Sequence, residues 1–249
     1  MQAQNIDDVI ERLTEIIDEA SRERLRLGYF PALYRRVTLR IRDGIAQGFF
    51  DDGPRMERLD VVFAGRYLDA LEAWRSGGKP TTSWQAAFDA AGEFWPIVVQ
   101  HLLLGISAHI NLDLGIAAAR TAPGAALAPL RADFDRINSI LASLVDSVQQ
   151  ELAQVWPLLR FFNRRLGTVD DRIINFSMKR ARAFAWNVAE QLAPLPEAAQ
   201  AERVAELDAQ VAKLAERIRH PGIVLGVVTK IVRLGERTSV PETIRILSA

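Results

Sequence analysis

The densest set of residues able to do chemistry lies between His101 and Asp113. His101, Gly105, His109 and Asp113 follow one another at four-residue steps, with Asn111 between the last two. Residues four apart on a helix are neighbours, so His109 and Asp113 can act on a common object. An imidazole exchanges protons near neutrality, and a carboxylate one turn away can orient it or share its charge. The same pair could chelate a divalent cation, as ligands at i and i+4 do in helical zinc motifs. His101 is too far to share that ion, about 12 Å away along a straight helix. Gly105 leaves room for something to approach the backbone. Asn111 points to a different side, where it would brace a neighbouring helix.

These residues occupy the most apolar stretch of the chain, Ile97 to Ala119, which contains no Lys or Arg. The stretch is about long enough to cross a bilayer. It also carries Gln100, His101, His109, Asn111 and Asp113, and a charge near mid-bilayer costs roughly 3 kcal/mol on insertion scales. No second span would shelter those groups. A helix apolar on most sides is the buried centre of a helical bundle, and no membrane span is expected.

The elements that must hold this helix are also helical, and no period-2 strand is evident. Helices are predicted over about 6–20, 31–47, 55–75, 83–92, 96–119, 131–156, 168–192, 197–219 and 223–235, followed by a short tail. Pro31 suits a first turn, Ser83 an N-cap, and Pro157 a stop. Thr168 with Asp171 forms a near capping box. The expected fold is all-α: one domain over residues 1–249, a bundle of eight or nine helices around the apolar one. An N-terminal helix (about 6–20) and a charged C-terminal pair (about 197–235) pack on it.

Several polar residues fall on the inward faces of these helices, where each needs a partner. Arg66 lies in the stripe Leu59, Phe63, Ala70, Trp74. Asn138 lies among Phe134 and Leu141, and Thr38 shares a face with Tyr34 and Ile41. Arg182 borders the face of Met178 and Ala185, one turn before Trp186. Bundle-core sites are built when several helices each bring a hydrogen-bonding group inward. A satisfied structural network would use the same residues, with Arg66 or Arg182 paired to Asp113.

Composition narrows the classes further. Lys+Arg and Asp+Glu both number 31, so the net charge is zero and nucleic acid is not an expected partner. Cysteine is absent, which removes disulfides, thiolate metal sites and a cysteine nucleophile. The N-terminus is acidic and amphipathic without a signal-peptide core, so a cytoplasmic location is expected. There is no phosphate-binding glycine loop and no Gly-x-Ser-x-Gly elbow. The arginine-rich stretch from Arg22 to Arg42, with Tyr29, Phe30 and Tyr34 interleaved, reads as a solvated helical face. The charged helix from Glu197 reads as an outer helix or a partner surface.

The segment Leu104-Gly-Ile-Ser-Ala-His-Ile-Asn-Leu-Asp-Leu114 resembles the hallmark of a bacterial domain family of unknown function, Gly-(Met or Ile)-Asn-Ala-His-Ile-Asn-x-Asp-Leu. The likeness extends to Tyr29-Phe30 with Tyr34 and Val37-Thr38, and to Leu59-Asp60 with Phe63-Ala64-x-Arg66-Tyr67-Leu68. It continues through Asp133-Phe134 with Asn138, and Asp170-Asp171 with Arg182, Ala185 and Trp186, covering about residues 22 to 193. Ser107 departs from the hallmark, which has Asn there. The resemblance implies no activity; it implies that the inward polar residues belong to a shared pattern. His109-x-x-x-Asp113 is also similar to a helix of zinc phospholipases and nucleases, but three histidines cannot supply their ligand set.

The expectation is an enzyme acting on a small, largely apolar molecule inside the bundle. His109 would be the general acid or base, with Asp113 orienting it. Arg66 or Arg182 would hold an anionic group, and Tyr34 and Trp186 would wall the pocket. Thr38, His101, Gly105 and Asn138 complete the candidate binding set. One alternative is a hydrolase with a divalent metal on His109 and Asp113. Another is a non-catalytic ligand-binding or scaffold protein whose polar network only specifies packing.

Overall fold

The computed structural model describes residues 3–155 and 178–249. Pro157 and the Thr168–Asp171 pair, with Asp170, lie outside the described residues, as do Trp156 and the start of the helix expected from residue 168. Among the described residues there are ten α-helices and no strand. They are α1 (Ile6–Glu23), α2 (Tyr29–Ala46), α3 (Gly53–Arg75), α4 (Thr82–Gly92) and α5 (Val98–Thr121). Then come α6 (Leu127–Val155), α7 (Met178–Leu192), α8 (Glu197–Arg219), α9 (Ile223–Gly235) and α10 (Val240–Leu247).

The apolar helix α5 is buried along almost its whole length, as the centre of the bundle. Its middle, His109–Asp113, is a π-helix flanked by α-helical Val98–Ala108 and Leu114–Thr121. The amide of Leu114 bonds back to the carbonyl of His109, five residues earlier. Such widened turns are rare and recur at functional sites. The N-terminus of α5 is tied down by side chains. Gln100 accepts from the Ile97 amide at 3.1 Å and donates to the Ile218 carbonyl of α8 at 2.7 Å, while Glu236 accepts from the Val98 amide at 2.9 Å.

Small residues let α7 lie directly on the second half of α5. A Cβ at Gly115 would sit 2.6 Å from the Ala185 carbonyl oxygen, and Ala181, Ala185 and Ala189 are buried against that face. On the other side α1, α2 and α3 pack through Val9, Leu13, Phe30, Tyr34, Ala64 and Tyr67. Two buried carboxylates act as clamps between elements. Asp133 of α6 accepts from the amides of Asp51 and Asp52, at 2.8 and 3.1 Å, and so fixes the turn before α3. Asp208 of α8 accepts from the amides of Thr82 and Ser83, at 2.6 and 3.0 Å.

That second clamp corrects one expectation. Ser83 lies inside the first turn of α4 and does not cap it; the cap comes from Asp208, a residue distant in sequence. A further difference is α10, where the sequence reading places a tail. Ser239 caps it by accepting from the Glu242 amide at 3.3 Å, and Ile244 and Leu247 bury against α1 and α2. Ser-x-x-Glu just ahead of an apolar run is the local signal for that start.

Gly115→Ala should lower stability by about 1–3 kcal/mol, the usual range for overpacking, because the new methyl meets backbone. Urea unfolding should show the loss, whereas Gly65→Ala, with nothing within 4 Å of its Cβ position, should show none.

Candidate functional site

Asp113 is completely buried and charged, and donors from three helices hold it. The Nε of Arg66, from α3, donates to Oδ1 at 2.8 Å. The indole Nε1 of Trp84, from α4, donates to Oδ2 at 2.7 Å. Nδ1 of His109, one turn back on α5, lies 3.4 Å from the same Oδ2. Burial works to raise the Asp113 pKa, but the His109 hydrogen bond and the Arg66 charge outweigh it and hold the group below the usual carboxylate range. Burial pushes His109 the other way, below the ordinary imidazole value, against the opposing pull of Asp113. The pair is therefore a carboxylate beside a neutral imidazole, and the proton belongs on Nδ1, facing Asp113.

The His109 ring is fixed by aromatics. It stacks on Phe63 with centroids 3.6 Å apart and meets Tyr34 edge-on at 4.5 Å. Its Nε2 is buried and has no hydrogen-bond partner among the described residues. It lines a cavity of about 310 Å³ between α2, α3, α5, α6 and α7, whose wall is almost wholly apolar. Leu59, Phe63, Ile110, Leu114 and Ile137 supply much of that wall.

Among the described residues, two more that line the cavity carry buried polar atoms without partners there: the Tyr34 hydroxyl and both carboxylate oxygens of Asp60. Burial, with Glu57 adding, pushes the Asp60 carboxyl up to about 7. Burial also raises the Tyr34 phenol well above its usual value, with the Asp60 charge adding and the nearby Thr38 hydroxyl offsetting in part. Arg182, from α7, lines the same cavity. Its Nε donates to Asn138 Oδ1 at 2.6 Å, its Nη2 donates to the Phe134 carbonyl, and its guanidinium lies 4.3 Å over the Phe134 ring.

Of the residues singled out in sequence, His109, Tyr34 and Arg182 line the cavity and Asn138 positions Arg182. The others serve elsewhere. Arg66 donates its Nε to Asp113 and lines a different cavity, shared with Arg12, Glu15 and Arg75. Thr38 donates to the Tyr34 carbonyl at 3.2 Å within its own helix. Phe30 fills the space over Gly105, where a Cβ would meet its ring at 2.5 Å. His101 stands in a separate pocket of about 20 Å³, edge-on to Tyr29, its pKa lowered to about 3 by burial. Trp186 packs against Phe134 and donates to Glu190 at 2.7 Å, outside the cavity wall. Asn111 does not reach a neighbouring helix; it donates to Ser107 at 3.1 Å on α5 itself.

Sequence reading misses Trp84 and weighs Asp60 only as a possible metal ligand, outside the candidate site. No spacing marks Trp84; the only clue is that a buried indole N–H needs an acceptor. Asp60 adjoins Leu59, and a carboxylate beside an apolar stripe was the available signal. Among the described residues no group of three or more His, Asp or Glu gathers, and the two Asp113 oxygens already accept from Arg66 and Trp84.

The fold and site define an all-helical protein with a buried His–Asp–Arg network beside an apolar cavity. Residues 6–221 match the family of unknown function DUF5995, and the chain belongs to that family. No curated protein and no solved structure shows significant similarity to it.

Asp113→Asn should cost about 3–5 kcal/mol, because it leaves the part-buried Arg66 cation without its partner. The folded pKa of Asp113 is depressed, so its contribution is present above the unfolded value of 3.8 and is lost as pH falls below it. Asp60 has the opposite sign. Its folded pKa is raised, so stability declines as pH rises from about 4 to about 7. Asp60→Asn should flatten that decline and make the protein more stable than wild type at pH 8, measured by denaturant midpoints across pH.

Proposed function

We propose that the cavity binds a small, largely apolar molecule and that the protein does acid–base chemistry on it at His109. The observation that carries this reading is the gathering of unpartnered buried groups on one apolar cavity: His109 Nε2, the Tyr34 hydroxyl and the Asp60 carboxyl. An unsatisfied buried polar group costs about 1–3 kcal/mol, and a ligand that pairs with all three relieves that cost. Their chemistry is complementary. Nε2 presents a lone pair, Tyr34 a hydroxyl donor, and Asp60 a second donor below about pH 7. A hydroxyl or carbonyl on an otherwise apolar ligand matches this set. Asp113 acts through His109 as a positioning residue, since it fixes the tautomer and turns Nε2 away from itself.

A second reading is binding without turnover, with His109 only as an acceptor. The depressed basicity of His109 favours it, because a weak base takes a proton with less driving force. Both readings need the same occupied cavity.

Titration with the neutral apolar dye N-phenyl-1-naphthylamine should give saturable fluorescence enhancement. Ile137→Phe, which fills the cavity, should weaken it about ten-fold or more, the effect of roughly 1.4 kcal/mol. Dye binding that ignores this substitution would remove the cavity from consideration. Nitrogen-15 NMR of the imidazoles should report His109 as the neutral Nδ1–H tautomer at pH 7, titrating below an ordinary imidazole, with the Nε2 resonance moving on dye binding.

A further inference from the structure

We infer that the ligand of this cavity is an amphipathic monoanion whose carboxylate is held by Arg182; this deepens the reading of the cavity as a ligand site and rests on it. Arg182 is 3% exposed, yet none of the ion pairs among the described residues includes it. A buried guanidinium without a counter-charge is costly, and proteins usually pair such groups. It remains charged at neutral pH, because burial lowers it only to about 10. The charges that act on it, Asp135 favourably and Arg131 unfavourably, are half-exposed and bonded to each other at 2.6 Å.

The guanidinium is held in place with donors to spare. Asn138 takes Nε–H and the Phe134 carbonyl takes one hydrogen of Nη2, while stacking on the Phe134 ring sets the plane. Nη1 has no hydrogen-bond partner among the described residues. An arginine fixed in plane with unused N–H groups suits a carboxylate, which it can meet with parallel hydrogen bonds.

Asp60, the one carboxyl among the described residues of the cavity wall, does not fill that role. Its pKa is set by burial and Glu57, without a contribution from Arg182, and Arg182 is likewise perturbed by other groups. The two form no ion pair among the described residues, and both Asp60 oxygens lack a hydrogen-bond partner there. Below about pH 7 the described residues of the wall offer a single positive charge, that of Arg182. One cation in an apolar enclosure balances one negative charge, which selects a carboxylate over a phosphate dianion. The rest of the molecule is left to the apolar wall and to His109, Tyr34 and Asp60.

The test is displacement of N-phenyl-1-naphthylamine from the full chain at pH 6.5 by decanoate, 1-decanol and decyl phosphate. Decanoate should bind about ten-fold or more tighter than decanol, as a charge-assisted hydrogen bond implies. In Arg182→Met that preference should vanish while decanol affinity stays within about two-fold. Equal affinities in the wild type, or a carboxylate preference that survives Arg182→Met, would overturn the anion inference and leave the apolar cavity standing. Tighter binding of decyl phosphate would overturn the monoanion choice. Failure of the dye and all three ligands to bind would instead defeat the ligand-site reading itself. If Arg182→Met does not fold, the wild-type comparison still decides, and Arg182→Lys should narrow the carboxylate preference by loss of the planar fork.

Discussion

A carboxylate with no contact with solvent sits at the crossing of three helices, and much of the interior is arranged around keeping it charged. Asp113 would neutralise or unfold its surroundings if left alone in an apolar core. Arg66 and Trp84 prevent that, and each can do so only if α3 and α4 lie at one height along α5. The interaction therefore fixes helix register as much as it adds energy. It also divides the labour of the His–Asp pair. With its oxygens occupied by Arg66 and Trp84, Asp113 has only the weaker 3.4 Å contact left for His109. That contact is enough to choose a tautomer, and Phe63 and Tyr34 hold the ring in place.

The cavity lies on the far side of this arrangement, and its polar groups are unlike Asp113 in one respect. Asp113 has its donors; the Tyr34 hydroxyl, the Asp60 carboxyl and His109 Nε2 have no partner among the described residues. Packing could have removed these groups, as apolar residues of similar size would fit the same wall. Their presence in the same cavity as an arginine with no ion pair among the described residues makes the cavity chemically two-sided, apolar in area and polar at a few fixed points. Small-molecule sites have that composition generally.

Much of the fold was legible because helical periodicity and punctuation are local. The nine helices expected from pattern have counterparts, apart from the segment outside the described residues, and the buried apolar helix carries the polar cluster. The pairing of Arg66 with Asp113 was one of two partners considered, since both residues lie on inward faces. What could not be read were contacts between residues far apart in sequence: Asp208 capping α4, Trp84 reaching Asp113, Phe30 covering Gly105. Asn111, expected to brace a neighbouring helix, donates to Ser107 four residues earlier on α5, a partner that helical spacing equally allows.

The π-turn at His109–Asp113 also acts as a phase shifter. It holds one residue more than an α-turn, and one residue is worth about 100° of rotation. The first half of α5 thus turns Gly105 toward Phe30, and the second half turns Gly115 toward α7, although each half packs as an ordinary α-helix. In an uninterrupted α-helix those two glycines, ten residues apart, would keep a different angle, and one of the close helix contacts would be lost. The site and the packing of the bundle are therefore coupled through a single inserted residue. An alignment that gapped or closed this stretch would misplace the whole of the downstream face, while leaving the helix assignment itself intact.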